Sequence, residues 1–202
     1  MDIGVYITIL ISTIFINNFI LSRFLGLCSF IGVSKQIGPA VSMGLAVTFV
    51  TTMASLITWL IYRFILIPFD LEYLRTISFI LVIASFVQFT EMVVQKKAPA
   101  LYNVFGIYLP LITVNCAVLG VAVLNTDSFF LGSKALEASL ARSLVQGFGA
   151  GAGYTLAMFV MAGIRERLDL ADIPKSMKDV PITFIVASLM SLAFLGFSGF
   201  KI

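Results

Sequence analysis

The chain has no histidine among its 202 residues, only two cysteines, and only 11% charged residues. The missing histidine excludes His-ligated haem, His-bound metals and His proton relays. The shortage of charge excludes an ordinary soluble domain, in which about 25% of residues are charged. Two cysteines, Cys28 and Cys116, allow at most one internal disulfide, and neither falls in an expected extracellular loop, where disulfides persist. The net charge of +3 is not a nucleic-acid signature, because the basic residues sit at the ends of apolar runs. No nucleic-acid partner is expected.

What the chain does have is apolar length: 60% of its residues are hydrophobic and its mean hydropathy is +1.08. Several runs reach the ~20 residues a helix needs to cross a bilayer. The composition therefore predicts an all-α, polytopic membrane protein, with the lipid bilayer as solvent. Six apolar segments are predicted, over Ile3 to Val33, Ala40 to Tyr62, Leu71 to Val94, Ala100 to Leu124, Ser143 to Ile164 and Val180 to Phe197. They are separated by "SKQIGP", "QKKAP" and "RERLDLADIPKSMKD", none long enough for a soluble domain. Residues 1–202 are thus expected to form a single integral membrane domain. The opening "MDIGVYITILIS" lacks the basic region and small-residue cleavage site of a secretory signal and reads directly into the first span.

Lysine and arginine placement predicts the orientation. The loops after spans one, three and five hold Lys35, Lys96, Lys97, Arg165, Arg167, Lys175 and Lys178. The opposite side holds Arg63, Arg75, Lys134, Arg142 and Lys201. Under the positive-inside rule the first set is cytoplasmic, so both termini are expected outside the cytoplasm.

Spans one and four depart from the rest. A straight helix from Ile3 to Val33 would be about 46 Å long, against a hydrocarbon core of about 30 Å. A break is therefore expected, with Asn17, Asn18 and Gly26 as break points; in span four the expected breaker is Pro110. Cys28 and Cys116 lie in these two segments within the same frame, Cys-x-x-x-Gly-Val. Three spans go with each cysteine, so the halves, approximately 1–98 and 99–202, have opposite membrane orientation. The expected architecture is two inverted three-helix repeats with spans one and four broken, an arrangement that places function where the interruptions meet.

A buried cysteine often serves only as a small hydrophobe. Two in equivalent settings invite a ligand count instead. A structural zinc site takes four Cys or His ligands, and an iron–sulfur cluster is likewise usually held by four thiolates. One chain supplies half of either, so the remainder must come from a second copy or a related subunit. A [2Fe–2S] cluster on a pseudo-twofold axis satisfies count and symmetry; a Cys28–Cys116 disulfide switch is the rival use.

The segments "NNFILSRFLGLCSFIGVSK", "VQFTEMVV", "LYNVFGIYLPLITVNCAVLGVAVLN", "GIRERLDLADIP" and "MSLAFLGFSGF" resemble the RnfA/NqrE family, membrane subunits of ion-translocating oxidoreductases such as the Rnf complex. The resemblance spans the first segment to the C-terminus, and the cysteine frames are its most specific parts. It implies a subunit of a ferredoxin:NAD oxidoreductase in the bacterial cytoplasmic membrane. It further implies that Cys28 and Cys116 supply two of the four ligands of a [2Fe–2S] cluster shared with the homologous sister subunit, RnfE. Electrons would pass across the membrane between cytoplasmic iron–sulfur subunits and flavin-bearing subunits, coupled to Na+ or H+ movement, with RnfB, RnfC, RnfD and RnfG completing the complex. Many relatives have proline where this chain has Ser29, a departure that removes no ligand and is expected to matter little.

Other features are weaker. Glu91 reads as an interfacial carboxylate near Lys96. Arg23, five residues before Cys28, reads either as a cation that stabilises a reduced cluster or as a snorkelling side chain. "GFGAGAGY" (Gly147 to Tyr154) lies in an apolar span and reads as a helix-packing face rather than a nucleotide loop. The competing functions are a small inverted-repeat secondary transporter or ion-conducting subunit, and a membrane scaffold with inert cysteines.

Overall fold

An apolar chain in lipid must satisfy its backbone hydrogen bonds within itself, and a helix does so residue by residue. The computed structural model describes residues 3–97, 109–129, 136–171, 174 and 177–196, and all regular structure among them is helical. Helix α1 (Ile3–Ile11) runs into a π-helical turn, Ser12–Ile16. Helix α2 is short, Leu27–Val33. Helix α3 (Ile37–Ile61) is extended by a second π-helical turn, Tyr62–Leu66, and α4 covers Arg75–Lys97. After the short α5 (Leu109–Thr113) come α6 (Cys116–Phe129), the long α7 (Leu136–Asp169) and α8 (Val180–Leu195).

Three helical stretches, Ile37–Leu66, Arg75–Val93 and Leu140–Asp169, are long and apolar enough to cross a membrane. Three shorter apolar helices accompany them: Gly4–Ile16, Leu111–Asp127 and Val180–Leu195. Large apolar side chains face outward from several of them, among them Leu45, Phe49, Phe89 and Leu192, as lipid-facing surfaces require.

Helices α3 and α7 form the central packed pair. The glycine run explains their proximity. A Cβ on Gly151 would come within 2.5 Å of the Thr48 Cα, and one on Gly147 would collide with Ser55. Gly149 and Gly153 face the other way, toward Thr13 and Ile14 of the first helical segment. "GFGAGAGY" is therefore a two-sided packing face within the subunit. Threonines on α3 satisfy their hydroxyls on their own helix, Thr51 at Val47 O (2.9 Å) and Thr58 at Ala54 O (2.6 Å). Thr48 meets Thr155 of α7 at 3.1 Å. Around this pair Phe30, Met43, Phe79, Ile112, Met158 and Met161 form the core.

One sequence expectation needs adjusting. The fifth apolar helix does not stop at Ile164 but continues to Asp169, so Arg165 is helical and buried rather than a loop charge. Pro110 lies in α5 next to residues outside those described, and an interruption follows that helix at Val114 and Asn115. The Ile3-to-Val33 run is interrupted between Ile16 and Leu27, a stretch bracketed by Asn17, Asn18 and Gly26. Lys134, Lys175, Lys201 and the start of the fourth segment lie outside the described residues.

Candidate functional site at the paired cysteines

The first interruption is held together by one amide. Asn18 is buried, and its Nδ2 donates to the carbonyls of Ile14 (3.2 Å) and Gly153 of α7 (2.9 Å). Its Oδ1 accepts from the backbone N–H of Ile20 at 3.1 Å. The side chain thus replaces the bonds a continuous helix would have made, which non-helical backbone inside an apolar interior requires. Ser22 donates to Asn18 O (2.7 Å), and Ser191 of α8 donates to Leu21 O (2.6 Å). The segment ends on two left-handed residues, Phe24 (φ 56°) and Gly26 (φ 86°). Gly26 needs to be glycine twice over: its φ is unfavourable for a side chain, and a Cβ would lie 3.1 Å from the Tyr154 ring and 3.2 Å from Asn115 Oδ1.

The turn at Gly26 starts α2, and Cys28 is the second residue of that helix. The second interruption does the same for Cys116, which opens α6. Asn115 caps that helix: its Oδ1 accepts from Ala117 N–H at 3.0 Å, and its backbone carbonyl accepts from Val118 N–H at 3.1 Å. Each thiol therefore stands in the first turn of a helix that begins at an interruption.

The two interruptions touch. Gly26 N–H donates to Cys116 Sγ at 2.9 Å, and Asn115 Nδ2 donates to Ser29 Oγ at 3.3 Å. Ser29 also donates to Gly26 O (3.0 Å) and lies 2.6 Å from the hydroxyl of Tyr154, which comes from α7. Cys28 and Cys116, 88 residues apart in sequence, are thus brought onto one patch, where both are free cysteines and both are exposed. Beneath the patch Ser29, Asn115 and Tyr154 are buried. Ser29 removes no ligand, as expected, and its Oγ also bonds Asn115 of the second cysteine segment. Asn115 and Tyr154 were not singled out by sequence reasoning, because their partners lie 86 and 125 residues away.

The far end of α2 is fastened by α7. Arg165 donates to Ile31 O (2.8 Å) and Ser34 Oγ (3.0 Å), and Glu166 Oε1 accepts from Ile37 N–H (3.1 Å). The helix that carries Cys28 is therefore held at its start by Tyr154 and at its end by Arg165. Arg23 is exposed and lines an open cavity of about 210 Å³ with Ser12, Thr13, Asn17 and Gln146. Glu91 is half-buried on α4, and the ion pairs among the described residues, Lys35–Asp179 and Arg75–Asp127, do not include it. Among the described residues no three His, Cys, Asp or Glu side chains cluster as a metal site.

These features define an all-helical membrane protein that presents two thiols from interrupted helices on one surface patch. The chain belongs to the Rnf-Nqr family: the family described as "Rnf-Nqr subunit, membrane protein" matches residues 6–201. Curated relatives cover nearly the whole chain. The A subunit of the ion-translocating oxidoreductase complex of Azoarcus sp. (strain BH72) is 54% identical over 194 residues, 96% of each chain. The A subunit of the Na(+)-translocating ferredoxin:NAD(+) oxidoreductase complex of Acetobacterium woodii is 52% identical over 196 residues, 97% of this chain and 98% of its own. The A subunit of the proton-translocating ferredoxin:NAD(+) oxidoreductase complex of Clostridium ljungdahlii is 50% identical over 194 residues, 96% of each.

Proposed function

We propose that this chain is the A-type membrane subunit of an ion-translocating ferredoxin:NAD oxidoreductase, and that Cys28 and Cys116 are half of a [2Fe–2S] site completed by the homologous sister subunit, RnfE. The observation that carries the reading is the Gly26 N–H···Sγ contact, which joins the turn two residues before Cys28 to Cys116, both thiols being free and exposed. The donor set fits: soft thiolates suit iron–sulfur clusters, and two from each of two subunits make the four that such clusters require. Exposure of both thiols is what a shared site needs, since the other two ligands must approach from outside this chain.

When bound, such a cluster supplies one-electron transfer. The residues of this chain do the rest. Cys28 and Cys116 present the sulfur ligands. The Gly26 peptide N–H donates toward the Cys116 sulfur, an arrangement that stabilises negative charge on it. The α6 helix dipole, with its positive end at Cys116, adds partial positive charge there. Asn18, Asn115 and Arg165 supply backbone hydrogen bonds to the interrupted segments that carry the thiols.

The wider architecture in this reading is six spans in two inverted repeats, the two interruptions being the broken helices of spans one and four. The chain sits in the bacterial cytoplasmic membrane with both termini on the extracytoplasmic side, in a complex with RnfB, RnfC, RnfD and RnfG. Electron passage is coupled to Na+ or H+ movement; the relatives include one named for each ion. The test is electron paramagnetic resonance of reduced membranes from cells that express this chain together with its sister. A [2Fe–2S] signal lost on Cys28→Ala and on Cys116→Ala is expected. Its persistence in both variants would return the chain to the alternative of an ion-conducting subunit with structural cysteines.

A further inference from the structure

Tyr154 belongs to none of the motifs that mark the cysteine frames, yet its hydroxyl reaches the point where they join. It is buried on α7, one residue after Gly153, whose carbonyl holds Asn18. One helical position thus touches both the first interruption and the thiol patch. Its ring lies against Gly26, and its hydroxyl lies 2.6 Å from Ser29 Oγ.

Ser29 is the hub of these contacts. A serine hydroxyl has one hydrogen and two lone pairs. Ser29 can donate to Gly26 O (3.0 Å) and accepts from Asn115 Nδ2 (3.3 Å). In the Tyr154–Ser29 bond either hydroxyl can donate. The chain of contacts runs from the Tyr154 hydroxyl to Ser29 Oγ, from Ser29 to the Gly26 carbonyl, and from the Gly26 N–H to Cys116 Sγ at 2.9 Å. Asn115, adjacent in sequence to Cys116, closes the circuit on Ser29, adjacent in sequence to Cys28.

We infer that Tyr154 is a positioning residue for the thiol pair, fixing Cys28 relative to Cys116 through Ser29 and the Gly26 turn. The geometric role stands on this chain alone; its redox consequence rests on the cluster reading. Tyr154→Phe is the informative change because it keeps the ring against Gly26 and removes only the hydroxyl. Ser29→Ala removes the other hydroxyl of the same link, so the two changes should be non-additive.

Two readouts test it. In membranes containing the full chain without its sister, phenylarsine oxide, which must bind two thiols at once, is titrated as protection against maleimide labelling. Protection is expected in the wild-type chain, is lost in Cys28→Ala, and requires several-fold more arsenical in Tyr154→Phe. Tyr154→Phe combined with Ser29→Ala should behave like Ser29→Ala alone. In the complete complex, redox titration of the [2Fe–2S] signal should show a midpoint shifted to more negative potential in Tyr154→Phe, because the N–H donor at Cys116 is less well placed. A shift in either readout sustains the role. Arsenical and redox midpoints that both match wild type overturn it, and Ser29→Ala carries the same test if Tyr154→Phe does not accumulate. A wild-type complex without a cluster signal retires the cluster reading, while the arsenical titration still decides the role of Tyr154.

Discussion

Gly26 and Cys116, 90 residues apart, share a hydrogen bond: the glycine N–H donates to the cysteine sulfur at 2.9 Å. That contact joins the two interrupted helical segments, and it depends on a left-handed turn only glycine adopts without strain. The consequences can be measured one residue at a time.

Gly26→Ala introduces a side chain at φ 86° and presses it against Tyr154, Asn115 and Ala117. The backbone cost alone is about 1–3 kcal/mol. The variant should lose thermal stability in detergent, read by size exclusion after heating. Gly32→Ala, whose Cβ meets nothing within 4 Å, should match wild type.

The α3–α7 contact makes a similar contrast within one helix. Gly151→Ala drives a Cβ into the Thr48 backbone, an overpacking that costs about 1–3 kcal/mol. Gly163→Ala, in the same helix with open space beside it, should be neutral or slightly stabilising, since alanine is the better helix former. Equal melting temperatures for the two variants would refute the packing role assigned to the glycine run.

Arg165→Ala removes the donor to Ile31 O and Ser34 Oγ and leaves buried acceptors unpaired, at about 1–3 kcal/mol for each. Limited proteolysis should then cut near the α2–α3 turn faster than in wild type. Arg165→Lys should restore part of the protection, because lysine can donate but lacks the planar fork. Loss of protection identical to alanine in the lysine variant would mean that the fork itself is required.

Orientation is separable from the site. A C-terminal alkaline phosphatase fusion should be active and a C-terminal fluorescent-protein fusion dark, since the positive-inside count places that end outside the cytoplasm. The opposite pair of results would invert the orientation.

Much of the site was legible in the sequence, for identifiable reasons. The cysteine frames could be seen because the chain has no other thiols and no histidine, and the first interruption because an apolar run of its length overshoots a bilayer. Arg165 misled because a charge at the end of an apolar run looks like a loop residue, whereas it caps α2 from α7. Tyr154, Asn115 and Ser29 were illegible as a group. Each is an ordinary polar residue until the fold brings together positions as far as 125 residues apart, and no local periodicity records that meeting. The glycine run was legible as a packing face, but which helices it packs against depended on the tertiary arrangement.

If Cys28 and Cys116 are two ligands of a cluster shared with the sister subunit, iron must follow them. That is read from the electron paramagnetic resonance spectrum of the reduced, purified complex, wild type against Cys28→Ala and Cys116→Ala, with iron counted in each. A [2Fe–2S] signal is expected in wild type and should disappear in both variants, with two fewer iron atoms per complex and the subunits still assembled. An unchanged spectrum and iron content in both variants would contradict the shared cluster.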